Sequence, residues 1–178
     1  SYWFITPKIT YSLTHYNDIK HARAEIDKSS TRSLPIYSLD TGLIFERNST
    51  VFGRETEQTL EPRLFYAYIP YRNQRHMPNF DSSSADLNFA ELFTPNKYTG
   101  FDRIANTNQL SAVLTTRYID SGTGKEWFSA TVGQRYYFTD EKVDLYWSNP
   151  GKTKNRSDVL AASQFSLFEG WRLEGAIQ

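Results

Sequence analysis

Residues that could do chemistry are few and scattered along the chain. The sequence holds three histidines, His15, His21 and His76, and no cysteine. None of the histidines has the i, i+4 spacing or the acidic neighbours of a metal site, and a chain without cysteine has no thiol nucleophile. Ser12, His15 and Asp18 form only a loose cluster, without a nucleophile elbow or a glycine-rich phosphate loop. The sequence therefore predicts no enzymatic activity and no metal or other cofactor.

Composition and charge exclude several classes of protein. The 178 residues include 20 basic and 20 acidic side chains, so the net charge of zero gives no basic footprint for nucleic acid. The aromatic share of 16% is too high for a disordered chain. No apolar run approaches the roughly 18 residues of a membrane helix. A membrane β-barrel remains open, because its strands also fail a test for long apolar runs.

The clearest pattern in the sequence is an alternation of apolar and polar residues with period two. In residues 8–14 (KITYSLT) every odd position is apolar and every even position is polar. Successive side chains of a β-strand point to opposite faces, so this is the pattern of a strand with two different faces. Similar segments follow at residues 37–46, 60–68, 110–118, 128–138, 159–167 and 171–177. We predict an all-β fold of about seven or eight antiparallel, up-and-down strands, each long enough to cross a bilayer when tilted.

The predicted connections between these strands alternate between long and short. The long ones are at residues 17–33, 71–105 and 139–156, and the shorter ones at 47–56, 121–125 and 168–170. Successive hairpins therefore place the long loops on one rim of the sheet and the short ones on the other, as in outer-membrane barrels.

The parity of the apolar positions predicts which residues oppose each other across the hairpins. An even-length connection at 47–56 places Asp40 opposite Arg63 as a cross-strand ion pair. An odd-length connection places Leu167 opposite Trp171, with Gly170 in the left-handed position of a bulge. The same register puts Ser166 opposite Arg172 and Gln164 opposite Glu174 on the polar side.

Alternation alone leaves two arrangements open. A soluble lipocalin-like barrel turns its apolar face inward, whereas a membrane barrel turns it outward to lipid. Aromatic residues near the ends of the apolar faces, and full charges at mid-strand on the opposite faces, favour the membrane arrangement. Gln134 is an exception, because it lies on the apolar face of its strand. The charged residues that we predict to face a wet lumen are Lys8, Asp40, Glu61, Arg63, Arg117, Arg135, Arg172 and Glu174.

Several ordered motifs of the chain resemble a known family. They are FERN (residues 45–48) before FG (52–53), QTLEPRLFY (58–66) and YIPYR (68–72), PNFD (78–81), LF (92–93), GFDRI (100–104), NQ (108–109) and GQRYYF (133–138). In this order they resemble the LptD family of lipopolysaccharide (LPS) assembly proteins over nearly the whole chain. The resemblance identifies residues 1–178 as a partial outer-membrane β-barrel, from the middle of the family's large C-terminal barrel, without a separate second domain.

The resemblance implies a non-enzymatic translocon in the outer membrane of a Gram-negative bacterium. Such proteins hold an LptE-type lipoprotein plug in the lumen and receive LPS from a periplasmic bridge through an N-terminal domain that lies outside this sequence. The barrel-assembly (BAM) machinery folds them. The charged polar face would then line the lumen or touch the plug, and the long loops would lie outside the cell.

Two alternatives to this function stay open at the level of sequence. The alternatives are a general porin, whose lumen charges would select small solutes, and a soluble β-barrel or sandwich that acts as a binding module.

Asp102 and Arg103 fall in the longest predicted loop, where an ion pair between them is predicted to order the loop. The alternative is a solvated, exposed pair that contributes little.

Overall fold

The computed structural model describes residues 2–17, 29–51, 53–145, 154–168 and 171–178. These residues form seven strands, and a single turn of 3₁₀ helix spans Glu91–Phe93. The strands are β1 (Tyr2–Asn17), β2 (Ser29–Val51), β3 (Arg54–Ile69), β4 (Thr107–Asp120), β5 (Glu126–Tyr137), β6 (Leu160–Phe168) and β7 (Trp171–Ile177). Among the described residues, no helix is long and apolar enough to cross a membrane.

The seven strands form one sheet in which every strand pairs with its neighbours in sequence. The spatial order is β1-β2-β3-β4-β5-β6-β7, and every pair is antiparallel. The predicted all-β, antiparallel up-and-down architecture is therefore confirmed. Because consecutive strands are hairpin partners, the connections fall alternately on two rims, which we call the long-loop rim and the short-turn rim.

The registers bring the apolar positions of all strands onto one face of the sheet. One row across the sheet runs Leu39, Tyr66, Leu110 and Tyr136, each residue directly opposite the next. Directly opposed side chains lie on the same face, so this row and its neighbours form a continuous apolar face. That face is exposed; the side chain of Ile9, for example, is 73% accessible. The opposite side, which carries the charged residues, is called the polar face below.

The β2–β3 connection is shorter than predicted. The two strands continue to Val51 and Arg54, so only residues 52–53 connect them instead of residues 47–56. Gly53 has φ of 75°, the left-handed conformation that a tight hairpin turn requires. The predicted even length is right, but the pairing is displaced by two residues. Asp40 opposes Phe65 rather than the predicted Arg63.

The other two short connections follow the sequence more closely. Residues 121–125 connect β4 and β5 as predicted. In the last hairpin, Ser166 opposes Arg172 and Gln164 opposes Glu174, as predicted. The pairing of Leu167 with Trp171 is wrong, because the register shifts after Ser166 and Phe168 opposes Trp171 instead. The bulge position predicted for Gly170 lies outside the described residues.

The longest connection folds back over the polar face. Leu92, in the 3₁₀ turn, is fully buried in a cluster with Val113 of β4 and Leu160, the first residue of β6. Nearer the long-loop rim, Ile104 packs on Leu34 and Ile69. Residues 138–145 add a further layer, since Val143 is buried against Tyr98 and Ala105. Residues 70–106 and 138–145 together are called the loop cap, and the hydrophobic core lies between this cap and the sheet.

Candidate functional site

The charged residues in the middle of the polar face pair with one another. The guanidinium of Arg63 binds Asp40 with two hydrogen bonds, from Nε to Oδ1 at 2.9 Å and from Nη2 to Oδ2 at 2.5 Å. This contact is diagonal across β2 and β3, because Arg63 directly opposes Gly42. The predicted ion pair is thus present, although its predicted register is wrong.

Arg117 lies between two carboxylates closer to the short-turn rim. Its Nε is 3.0 Å from Oε1 of Glu61 on β3, and its Nη1 is 3.0 Å from Oε2 of Glu126 on β5. The side chains of Arg117 and Glu61 are 41% and 22% exposed, so this part of the polar face is open to solvent. Three strands are therefore connected by one accessible charged group.

The remaining lumen-facing candidates lie toward the two edges of the sheet. Lys8 is exposed on β1, opposite Ser38. Arg172 and Glu174 share the polar face of β7, with 3.6 Å between Nη1 and Oε1 and more than half of each side chain exposed. All three side chains are therefore accessible to an external partner.

Arg135 is, by contrast, buried under the loop cap, with 3% of its surface accessible. Its Nη2 donates to the carbonyl oxygen of Glu91, the first residue of the 3₁₀ turn, and at 3.4 Å to that of Thr94, which directly follows the turn. Its Nε donates to Ser111 Oγ at 3.3 Å. The Glu91 carbonyl also accepts the backbone amide of Thr94 at 3.1 Å, so Arg135 gives it a second donor, and Arg135 supplies a donor to the Thr94 carbonyl just after the turn. This predicted lumen residue therefore connects the sheet to the loop cap.

Two further contacts seat the 3₁₀ turn on the sheet. The guanidinium carbon of Arg63 lies 3.8 Å from the centroid of the Phe93 ring, a cation–π geometry. Leu92 rests directly on Gly133 of β5, where a Cβ atom would lie 2.7 Å from Leu92 Cδ1 and 3.0 Å from Val113 Cγ2. The absence of a side chain at position 133 is what makes room for the buried leucine.

Arg32 is the main polar anchor of the cap at the long-loop rim, and sequence reasoning missed it. This side chain is 3% exposed. Its Nη1 donates to Gln74 Oε1 at 2.9 Å and to the Asp102 carbonyl at 2.6 Å. Its Nη2 donates to Thr14 Oγ1 at 2.9 Å and to the Phe101 carbonyl at 2.6 Å. Position 32 was assigned to a loop in the sequence, so no buried partner could be inferred for it.

Asp102 and Arg103 are both buried inside the loop cap rather than solvated, at 7% and 3% exposure. Arg103 donates from Nη1 to the Pro78 carbonyl at 3.0 Å and from Nη2 to the Met77 carbonyl at 2.7 Å. Asp102 accepts a hydrogen bond from the Tyr16 hydroxyl at the end of β1. The two residues thus tie the far end of the longest loop to its beginning and to the sheet.

The pKa of Asp102 reflects this environment. Burial on its own would raise the pKa of the carboxyl group. Hydrogen bonds from the Tyr16 hydroxyl and from the backbone amides of Phe80 and Asp81 outweigh burial, and together they hold the pKa of Asp102 below its ordinary value of 3.8. The carboxylate is therefore charged at neutral pH, next to two buried guanidinium groups.

The two parts of the loop cap are joined through Tyr98. Its hydroxyl lies 2.8 Å from both Glu141 Oε1 and the Val143 carbonyl oxygen, and these two acceptors share its single proton. Lys97 forms an ion pair with the same Glu141 carboxylate. Burial, together with the neighbouring Glu141, raises the pKa of Tyr98 well above its ordinary value, so the phenol stays protonated as a donor.

The described residues of the loose cluster considered for catalysis, Ser12 and His15, do not lie on the same face of the sheet. His15 is held by Thr31 Oγ1 at 2.6 Å and Asn17 Oδ1 at 2.7 Å on the apolar side of β1, whereas Ser12 points to the opposite face. Asp18 and His21 lie outside the described residues. In the part of the chain that the structure describes, no group of three or more histidine or acidic residues could hold a metal ion.

The arrangement of the two faces defines a class of protein. Seven antiparallel strands joined in sequence order, with an exposed apolar face and a charged face partly covered by loops, have the architecture of a segment of a β-barrel membrane protein. The family model described as LPS transport system D matches residues 1–178. The chain therefore belongs to the LptD family, as its motifs predicted.

Curated relatives support this assignment over almost the whole chain. The LPS-assembly protein LptD of Paraburkholderia xenovorans is 43% identical over 181 residues, which cover 99% of this chain and 23% of the relative. LptD of Aromatoleum aromaticum is 49% identical over 160 residues, with coverages of 90% and 20%. LptD of Thiobacillus denitrificans is 41% identical over 177 residues, with coverages of 99% and 24%. The chain thus spans less than a quarter of the length of these relatives.

Proposed function

We propose that this chain forms part of the wall of an outer-membrane β-barrel that assembles LPS into the outer leaflet of a Gram-negative bacterium. The observation that carries the proposal is the exposed apolar face that extends across all seven strands. In water, so large an apolar surface would drive aggregation, whereas in a bilayer it is the lipid-facing band. Relatives that share the whole of this segment are LPS-assembly proteins by name.

The spacing of aromatic rows supports the membrane setting. Tyr118, Phe128 and Phe165 stack across the apolar face near the short-turn rim, with ring centroids 5.7 and 4.5 Å apart. Tyr37 and Tyr68 pair near the long-loop rim at 6.2 Å. On β5, Phe128 and Tyr136 are eight residues apart, or about 27 Å along the strand. When the strand is tilted by about 40°, that length spans about 21 Å along the membrane normal, close to the ~25 Å apolar band between two aromatic girdles.

The loop cap favours a closed lumen over the open channel of a general porin. Leu92, Phe93 and Arg135 fill the space above the polar face with packed side chains. The same arrangement opposes a soluble binding module, in which the apolar face would be the covered one. In this proposal the loop cap belongs to the extracellular end of the barrel, because it emerges from the long-loop rim.

The partners follow from which parts of the polar face remain accessible. An LptE-type lipoprotein plug would contact the uncovered charges, which are Lys8, Asp40, Glu61, Arg63, Arg117, Arg172 and Glu174. Arg135 would hold the loop cap, and Arg63 would support the cap through Phe93 while its guanidinium stays accessible. LPS, a periplasmic bridge that delivers it, and the barrel-assembly machinery are the other partners of the full-length protein. The proposal assigns the chain no enzymatic activity.

Depletion of the full-length protein in its own host tests the proposal. Newly made LPS should stop reaching the cell surface, as measured by a pulse label and an outer-leaflet enzyme that modifies only surface LPS. Unchanged delivery after depletion would contradict a role in LPS assembly. The purified full-length protein in planar bilayers should also conduct few ions; a large, steady conductance would favour the porin.

A further inference from the structure

A short segment before β6 carries two cations at the long-loop rim. Residues 154–158 run antiparallel to the end of β5, because Tyr137 N donates to the Asn155 carbonyl at 2.9 Å and Ser157 N donates to the Arg135 carbonyl at 2.8 Å. Arg156 lies directly opposite Tyr136 in this pairing. Backbone hydrogen bonds therefore fix the segment to the sheet.

The pairing places the Arg156 side chain on the apolar face. Directly opposed residues of a β-ladder direct their side chains to the same side, and Tyr136 belongs to the apolar face. Lys154 lines the same cavity of about 660 Å³ as Tyr136 and Arg156. Both cations consequently border the surface that the proposed function turns to lipid.

Gln134, the polar exception on the apolar face, holds this segment in place. Its Nε2 donates to the Ser157 carbonyl at 2.9 Å. The amide of Arg135 also donates to Ser157 Oγ at 3.0 Å. A polar side chain on a lipid-facing surface is costly unless it is hydrogen-bonded. The hydrogen bond to Ser157 offsets this cost for Gln134.

Among the described residues, positive charge exceeds negative charge in the lining of this cavity. Lys154 and Arg156 are exposed, and within the described residues neither forms an ion pair. Of the described residues that line this cavity, Asp158 is the one carboxylate, so together they carry a net charge of +1. Cations that border an aromatic girdle lie at the depth of the lipid headgroups.

The surface next to the cations is apolar, so the two regions together match the charged head and the apolar chain of an amphiphile. An adjoining cavity of about 380 Å³ shares Tyr136 and is lined by Val132, Leu114 and Val159 on the apolar face. A molecule with a charged head and an acyl chain would place the head at Lys154 and Arg156 and the chain along these aliphatic groups. A guanidinium binds a phosphate with two parallel hydrogen bonds, and a lysine adds a point charge.

We propose that Lys154, Arg156 and Tyr136 bind a phosphate group of a lipid headgroup at the long-loop rim. The ligand class is a phosphorylated lipid of the leaflet that this rim meets. The inference rests on the proposed function, because that function places the long-loop rim in the outer leaflet, where LPS is released.

The test compares two lipids that differ only in phosphate. The full-length protein in neutral detergent is titrated with lipid A and with enzymatically dephosphorylated lipid A, and affinity is measured by native mass spectrometry. Lys154→Gln combined with Arg156→Gln should weaken binding of the phosphorylated lipid about fivefold per cation, or about 25-fold in total. Binding of the dephosphorylated lipid should barely change. Lys125→Gln, at the short-turn rim, is the matched control and should change neither affinity.

Three results would overturn the inference: equal affinity of variant and wild type for lipid A, an equal loss for both lipids, or full displacement of lipid A by millimolar inorganic phosphate. Heat-modifiable gel migration checks that the double variant is folded. If the wild type delivers LPS and binds lipid A while the variant is unchanged, only the lipid site is wrong. If the wild type neither delivers LPS nor binds either lipid, the proposed function fails as well.

Discussion

The carboxylates of Asp81 and Asp102 each accept hydrogen bonds from backbone amides next to the other residue; these four hydrogen bonds are called the clasp below. The Asp102 carboxylate accepts hydrogen bonds from the amides of Phe80 and Asp81 at 2.5 and 2.9 Å. The Asp81 carboxylate accepts from the amides of Phe101 and Asp102, each at 3.1 Å through Oδ1. Two Phe-Asp dipeptides, 21 positions apart in the sequence, thus close the longest loop through a reciprocal pair of charged acceptors, which are stronger than neutral ones.

Replacement of the more buried partner should open this clasp. In Asp102→Asn the side chain loses its charge and one acceptor oxygen, so either the amides of Phe80 and Asp81 or the Tyr16 hydroxyl lose their partner, and the remaining bonds are no longer to a charged group. A hydrogen bond to a charged group contributes about 1.5–3 kcal/mol, which predicts roughly 10- to 100-fold faster amide exchange in residues 76–105. Asp86→Asn, at an exposed position of the same loop, is the control and should exchange like the wild type. Equal exchange in both variants would show that the clasp does not hold the loop.

The same carboxylate predicts how the loop cap responds to acid. Folding lowers the pKa of Asp102 below 3.8, so its stabilising effect is complete above that ordinary value. The effect is lost as the pH falls through the lower pKa of the folded state. Exchange in residues 76–105, corrected for the intrinsic pH effect, should stay slow from pH 7 to about pH 4 and rise below it. The Asp102→Asn variant should show no such rise, and an identical acid transition in the variant would contradict the assignment.

A pair of glycines tests how the 3₁₀ turn is seated. Gly133→Ala would place a methyl group 2.7 Å from the buried Leu92, and overpacking of this kind typically costs about 1–3 kcal/mol. Gly175→Ala on β7 meets no atom within 4 Å and should stay within about 0.5 kcal/mol of the wild type. Urea unfolding of the full-length protein measures both changes.

Combining Gly133→Ala with Leu92→Ala tests whether the loss of stability comes from the contact between these two residues. Leu92→Ala removes the atom that clashes, so Gly133→Ala should be far less damaging in that background than in the wild type. Additive losses in the double variant would mean that position 133 acts through the strand itself and does not seat the 3₁₀ turn.

The strands could be predicted from the sequence, because the face of a strand is a local property. The period of two identified all seven strands, and parity gave the correct even length for the β2–β3 connection and the correct odd length for the β4–β5 connection. In the last hairpin the register shift after Ser166 leaves two residues between the strands instead of the predicted three. Parity, however, cannot distinguish registers that differ by two residues, because such a shift keeps every side chain on the same face. The polar run at residues 47–50 has the composition of a loop, so the sequence predicts a β2–β3 pairing two residues away and places Asp40 opposite Arg63 instead of diagonal to it.

The loop cap could not be predicted, because its contacts are distant in sequence. Arg32 lies about 70 positions before the Phe101 and Asp102 carbonyls that it binds, and a three-residue helical turn has no periodic signal. One signal was available: the Phe-Asp dipeptide occurs at both Phe80 and Phe101, the two ends of the clasp. Repeated dipeptides in a long polar loop are therefore worth examining as reciprocal caps.

Spin labels on neighbouring residues of β4 and β5 test most directly whether the apolar face meets lipid and the polar face lines a lumen. Leu114 and Val132 oppose each other on the apolar face, and Thr115 and Thr131 do so on the polar face. In the full-length protein in bilayers, labels at Leu114 and Val132 should be accessible to oxygen and shielded from a water-soluble nickel complex. Labels at Thr115 and Thr131 should show the opposite preference. Reversed preferences, or the same preference on both faces, would contradict the assignment of the faces.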